Sequence, residues 1–191
     1  QPPMNRVQLL RRDEAARQPR LVGQHDGLEA GPVQASYGLA DARMAEDATA
    51  RPANVYAFSK VVLDNLAARA RREGLKVDGT RYFNVYGPGE FHKGKVASMI
   101  WQLYLQMKAG KRPRVFRSGE QQRDFVHVDD AVEATIRAAL KGKGAVYNVG
   151  SGRARSFNDV IATLNRAMGP TLAPEYFDNP YTFTQSFTEA D

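Results

Sequence analysis

RYFNVYGPGEFHKGKVAS, running from Arg81 to Ser98, is the stretch whose reading decides the fold of this 191-residue chain. Tyr82, Phe83, Val85 and Tyr86 are aromatic or β-branched and fit a short strand. Gly87-Pro88-Gly89 ends it, because proline fixes φ and glycine opens the left-handed region. His92, Lys93 and Lys95 then fall in a glycine-containing loop ahead of an apolar helical stretch that starts at Val96. Open α/β proteins place ligand chemistry where a strand runs into such a loop. A basic surface loop following a core strand satisfies the same pattern.

Upstream, Pro52 and Asn54 predict a helix start and Gly74 a stop. Val55, Phe58, Val61, Val62, Leu66 and Ala70 recur at helical spacing, which leaves Lys60, Asp64, Arg69, Arg71 and Arg72 for water. Lys76 to Phe83 then reads as one strand feeding the central stretch. Downstream, Met99 to Ala109 is a second amphipathic helix, and Val115-Phe116 a brief strand. Arg123 to Val128 is extended, and Asp129 or Asp130 caps a helix reaching Lys141 with Val132, Ile136, Ala139 and Leu140 inward. Ala145 to Val149 is a buried strand closed by Gly150-Ser151-Gly152. Ser156 and Asp159 have capping-box spacing ahead of Val160, Ile161, Leu164 and Met168. Pro174 to Phe177 is a last short strand. Strands alternating with helices make this an α/β chain. Residues 1 to 32, dense in Gln, Arg, Pro and Gly, show neither period; they are expected to pack poorly and to add no strand to the main sheet. They also contain no glycine-rich dinucleotide fingerprint.

Composition narrows the chemistry. A net charge of +6 and a pI near 9.6 fit attraction for phosphorylated small molecules, and the basic residues are not interleaved with aromatics as in a nucleic-acid platform. With no cysteine, disulfides and thiolate metal sites are excluded. No apolar run approaches membrane-spanning length. The expectation is a cytoplasmic protein without nucleic-acid or membrane partners and without a metal, with room for a homo-oligomer.

Tyr56 and Lys60 place a phenol and an ammonium on one helix face. A nearby cation lowers a phenol's pKa, which suits acid/base work near neutrality. Tyr104 and Lys108 share the spacing in a helix that reads as structural, so spacing alone does not separate a site from a surface pair. Lys93 fits a second base, a phosphate contact or a solvated charge. His92 fits a loop hydrogen-bonder. Arg123 either pairs with Asp124 or offers its planar fork to a diphosphate. Gly150-Ser151-Gly152-Arg153 fits an anion cradle or a plain turn.

Tyr37-Gly38, YAFSK (56–60), RYFNVYGPG (81–89), RDFVHVDD (123–130) and YNVGSG (147–152), in this order, resemble the extended short-chain dehydrogenase/reductase superfamily of nucleotide-sugar epimerases and dehydratases. YFNVYGPGEFHKGKVAS looks like the branch that epimerises C6 of ADP-heptose, and TQSFTEAD at the end fits as well. The resemblance spans about Ala35 to Asp191. It implies a partial Rossmann-like fold: an unmatched leader over 1–34, the rear of a nucleotide-binding domain over 35–87, and most of a small substrate-binding domain over 88–191, with 124–141 packing back on the first part.

The resemblance also implies NADP-dependent epimerisation of ADP-D-glycero-D-manno-heptose, a lipopolysaccharide-core precursor. Tyr56 and Lys93 would be the two catalytic acid/base groups, facing one cleft with Asn84. Lys60, Val85 and Lys93 would contact NADP. Asn84, Lys95, Gln102, Phe116, Arg117, Ser118, Gly119 and Arg123 would line the ADP-heptose site. Against the pattern, the glycine-rich cofactor loop is missing, Val33 stands where an active-site serine is expected, with Ser36 displaced, and Thr184 replaces a tyrosine. These departures leave open an incomplete copy, an enzyme for another nucleotide sugar, or an inactive ADP-sugar-binding remnant.

Overall fold

The computed structural model describes residues 20–24 (backbone), 43–52, 54–169, 171–178 and 185–191. Its centre is strand β2 (Val77–Tyr82), which pairs in parallel with β1 (Arg20–Gln24) on one side and β6 (Val146–Val149) on the other. The expectation that residues 1–32 add no strand is therefore corrected. A parallel edge strand is held by backbone bonds to one neighbour, so Leu21-Val22 in a five-residue segment needs no longer periodic pattern.

Helix α1 (Val55–Arg72) covers one face of this sheet and α3 (Val128–Lys141) the other. Alternation along β2 sends Arg81 to α1, where its Nε and Nη2 donate to Asp64 Oδ2 at 3.1 and 2.9 Å. Asp78 and Tyr82 point to the α3 side. Thr135 Oγ1 donates to Ala131 O, so the Tyr82 hydroxyl, 2.6 Å away, donates to Thr135.

Both helices correct the predicted burial. The residues packed against the sheet are small, Ala57 and Ala67 on α1 and Ala131 and Ala138 on α3. Val55, Phe58, Val62 and Leu66, and likewise Val132, Ile136 and Leu140, are on the exposed side. Asp64 turns inward to meet Arg81, because a buried guanidinium requires a partner. Helix α3 is capped by neither Asp129 nor Asp130. His127 accepts the Asp129 N–H at 3.3 Å.

The central stretch is two strands rather than one. After β2, Phe83 is buried against Met44 and Ala190, and β3 (Asn84–Tyr86) joins a second sheet in the order β3-β5-β7. There β5 (Gln122–His127) runs parallel to β3 and antiparallel to β7 (Ala154–Ser156). A third pair, β4 (Arg114–Phe116) and β8 (Glu175–Phe177), lies beside helices α2 (Met99–Lys108) and α4 (Phe157–Met168). Leu103, Val115, Val160 and Ile161 form the core between those helices, and the Ser156/Asp159 capping box is present as expected.

Asp124 ties the second sheet to the end of the chain. Its buried carboxylate accepts from Ser151 N (2.6 Å), Ser151 Oγ (2.6 Å), Gly152 N (2.9 Å) and Ala190 N (3.1 Å). It does not pair with Arg123, since neighbours on a strand point to opposite faces. The Gly150-Ser151-Gly152 turn is thus an anion cradle whose anion is Asp124. A Cβ on Gly150 would lie 2.5 Å from Asp124 Oδ2 and 2.8 Å from the Ala190 Cβ. Glu189 accepts from Ala154 N at 2.8 Å and meets Arg43 at 2.6 Å.

Asp124→Ala strips four donors of their acceptor and is expected to cost about 3 kcal/mol in urea unfolding; a loss below about 1 kcal/mol would refute the central role of this carboxylate. Glu189 is held below its ordinary value of 4.5, first by the Ala154 N–H and then by Arg43. Its contribution to stability is complete above about pH 4.5 and is lost as pH falls through the depressed folded value. Urea midpoints measured from pH 6 downward should fall less steeply in Glu189→Gln.

Candidate functional site

The loop after β3 is built by one side chain that sequence reasoning passed over. Glu90 begins a pair of short 3-10 turns (Glu90–Val96) broken at Gly94, whose φ of 55° and ψ of −126° suit only glycine. The Glu90 carboxylate is buried, and it accepts from Gly87 N at 3.2 Å, Ser98 Oγ at 2.8 Å and Ser98 N at 2.6 Å. Both ends of the loop therefore hang on one carboxylate. Gly87 cannot carry a side chain, as its Cβ would sit 2.5 Å from Val128 Cγ1. The signal available in sequence was an acid directly after a Gly-Pro-Gly turn.

Lys93 lies on this loop with Nζ 3.9 Å from Glu90 Oε2. Lys95 is exposed, and its carbonyl accepts from Gln102 Nε2 at 3.1 Å; the same amide donates to Ala97 O at 2.7 Å. Ser98 caps α2 through the Trp101 N–H. Lys95 and Gln102, expected in one site, are thus joined by a hydrogen bond, and Lys93 lies on the same loop beside Glu90.

Tyr56 and Lys60 share the half-buried side of α1, Lys60 Nζ standing 4.7 Å from the Tyr56 ring centroid. Lys108 stands over Tyr104 in the same way at 5.7 Å, but Lys108 is exposed. Burial of the lysine, rather than spacing, distinguishes the first pair. Asn84 and Val85 are half-buried in β3, in register with Phe125 and Val126.

The loop Phe116 to Gly119 is seated on the start of α4. Asn158 N donates to Gly119 O at 3.1 Å, Asn158 Nδ2 to Ser118 O at 3.1 Å, and Tyr176 donates to Asn158 Oδ1. Phe116 meets Phe177 edge to face, and Arg117 pairs with Asp178 at 3.1 Å. Arg123 is buried, which lowers its pKa to about 10, and its fork donates to Gln122 O and Gln185 O at 2.7 Å each. Among the described residues no cluster of His or acidic side chains could hold a metal. A cleft of about 630 Å³ lies between α4 and the second sheet, bordered by Tyr86, Phe125, Arg153, Arg155 and Arg166. Ser151 and Arg153 of the Gly150–Arg153 turn line it, whereas none of the residues expected to contact NADP or ADP-heptose does. Val33, Ser36, Tyr37 and Thr184 lie outside the described residues.

With this arrangement in view, the comparisons identify the class. The profile of the NAD dependent epimerase/dehydratase family matches residues 30–150, and the chain belongs to that family. Its fold is α/β and, in part, Rossmann-like. Among curated proteins it is similar to ADP-L-glycero-D-manno-heptose-6-epimerase of Nitratidesulfovibrio vulgaris (strain Hildenborough), 38% identical over 172 residues, covering 82% of this chain and 53% of that protein. Among solved structures it resembles the Helicobacter pylori ADP-L-glycero-D-manno-heptose-6-epimerase, with 34% identity and a TM-score of 0.76 over 90% of this chain and 50% of that one. UDP-glucose 4-epimerase from Thermotoga maritima, solved with UDP-glucose, matches at 29% identity and a TM-score of 0.79 over 91% and 54%. The chain spans about half the length of the curated relatives it matches.

Gly119 has a φ of 80°, and a Cβ there would fall 2.3 Å from Asn158 Oδ1. Gly119→Ala should therefore lower stability by about 1–2 kcal/mol and speed amide exchange at Gly119 and Asn158. Unchanged exchange would show that this seat does not order the loop.

Proposed function

We propose that this chain carries the acid/base and substrate-contacting residues for inverting C6 of ADP-D-glycero-D-manno-heptose to the L-glycero form, with NADP and in the cytoplasm. The observation that carries the reading is the Lys93 loop, an ordered, carboxylate-anchored unit whose sequence looks like that of the heptose epimerases. The likeness to proteins of that name supports the same substrate.

Inverting a carbinol centre needs proton exchange on both faces. Tyr56 and Lys93 are assigned those two roles at the C6 oxygen, with Lys60 orienting the Tyr56 phenol. Lys60, Val85 and Lys93 are assigned to the nicotinamide-ribose end of the dinucleotide. NADP, when bound, takes up and returns the hydride that protein side chains cannot carry. Asn84, Lys95, Gln102, Arg123 and the loop 116–119 are assigned to ADP-heptose. For Arg123 this requires its fork to exchange the Gln185 carbonyl for a phosphate oxygen. No glycine-lined cradle for a pyrophosphate is present in the sequence.

The 191-residue chain, incubated with the D-glycero epimer and NADP, is expected to give no measurable L-glycero product on chromatography. It is also expected to bind ADP-heptose in preference to UDP-glucose by calorimetry. Preference for UDP-glucose would favour another nucleotide-sugar epimerase, as the Thermotoga maritima likeness suggests. Turnover by the chain alone, reduced about 10²-fold or more in both Tyr56→Phe and Lys93→Met, would support the two assignments and overturn the expectation of inactivity.

A further inference from the structure

Glu90 is only 4% exposed, yet it is an acid in the middle of a basic, polar loop. A buried carboxylate is costly unless its oxygens are satisfied. Here Oε1 takes Gly87 N and Ser98 Oγ, while Oε2 takes Ser98 N. These three bonds join the turn after β3 to the cap of α2 and enclose the segment that carries Lys93. Among the described residues the ion pair of this carboxylate is with Lys93 Nζ, and at 3.9 Å it attracts without the reach of a direct hydrogen bond. The lysine side chain is 30% exposed, so the ammonium sits at the mouth of the loop rather than inside it.

We propose that Glu90 is the positioning residue of Lys93: its carboxylate closes the Gly87–Ser98 loop and gives the Lys93 ammonium its resting place. The proposal rests on the reading of Lys93 as an acid/base group, but its two structural effects are measurable without turnover. Because the pair is loose, Lys93 keeps the freedom to swing toward a ligand, while the backbone beneath it does not move. Glu90 touches no reacting atom in this scheme and acts only through the loop and the lysine.

The test uses the 191-residue chain and trypsin cleavage after Lys95, read by mass spectrometry, with amide exchange at Gly87 and Ser98 alongside. Glu90→Gln keeps the size but replaces one accepting oxygen by a donor facing Ser98 N. Cleavage and exchange should each speed up by about 10-fold or more. The lysine's part is separated by a double-mutant cycle with Lys93→Met. Lys93→Met alone should speed cleavage after Lys95 by roughly two- to threefold, the size expected of a partly exposed ion pair, and should add nothing in the Glu90→Gln background. Additive effects would show that Glu90 only shapes the loop, and unchanged cleavage in Glu90→Gln would show that it does not do even that; either outcome overturns the proposal. Failure of the acid/base reading would appear separately, as turnover that survives Lys93→Met in a protein competent for it, and would leave these rates as they are.

Discussion

The Asp124 carboxylate is the constraint on which the second half of the molecule depends. It sits beneath β5 and collects N–H and O–H groups from a turn and from the last residues of the chain. Thr188 adds to this by accepting the Asp124 N–H through its hydroxyl and donating its own N–H to Gln122 O. Met44 then pairs with Ala190, so the segment from residue 43 is held by the same tail. Without the acid, turn and tail would present several buried donors with no acceptor, a cost no nearby apolar contact offsets.

The same device recurs at three other points where regular structure stops. Asp78 Oδ1 accepts from Gly144 N and Ala145 N and fixes the entry to β6. Glu90 fixes the loop before α2, and Asn158 fixes the loop before β5. In each case a side chain on a strand, turn or helix start replaces backbone partners that a loop lacks. The loops that carry Lys93 and Phe116 to Gly119 are consequently anchored by side chains, while Tyr56, Asn84 and Arg123 stand on helix or strand.

Much of this was legible in sequence. Asn54, Ser156 and Gly74 marked element boundaries, because capping chemistry is local. The order of the motifs marked the family. Burial was less legible: the apolar stripes of α1 and α3 suggested an inward face, whereas close packing on a sheet selected their alanines. Apolar periodicity records which residues are alike, and it does not by itself state which side meets the sheet. Asp64, Glu90 and Asp124 were unreadable for a different reason. Each is an ordinary surface residue by type, and its role is created by partners as far away in sequence as Ala190. The strand at Arg20–Gln24 escaped notice because two apolar residues carry too little pattern.

Asp124 and its last donor are separated by 66 residues. That separation bears on the order of events as the chain is made. Helices α1 to α4 close contacts within a few residues and can form as they emerge, but the β5 carboxylate waits for Ala190. Until then the carboxylate lacks its Ala190 donor, and Phe83 lacks Ala190 in its cluster. Removing Glu189 to Asp191 should therefore be felt far back in the sequence, at Met44, whose N–H donates to Glu189 O and whose carbonyl accepts the Asp191 N–H.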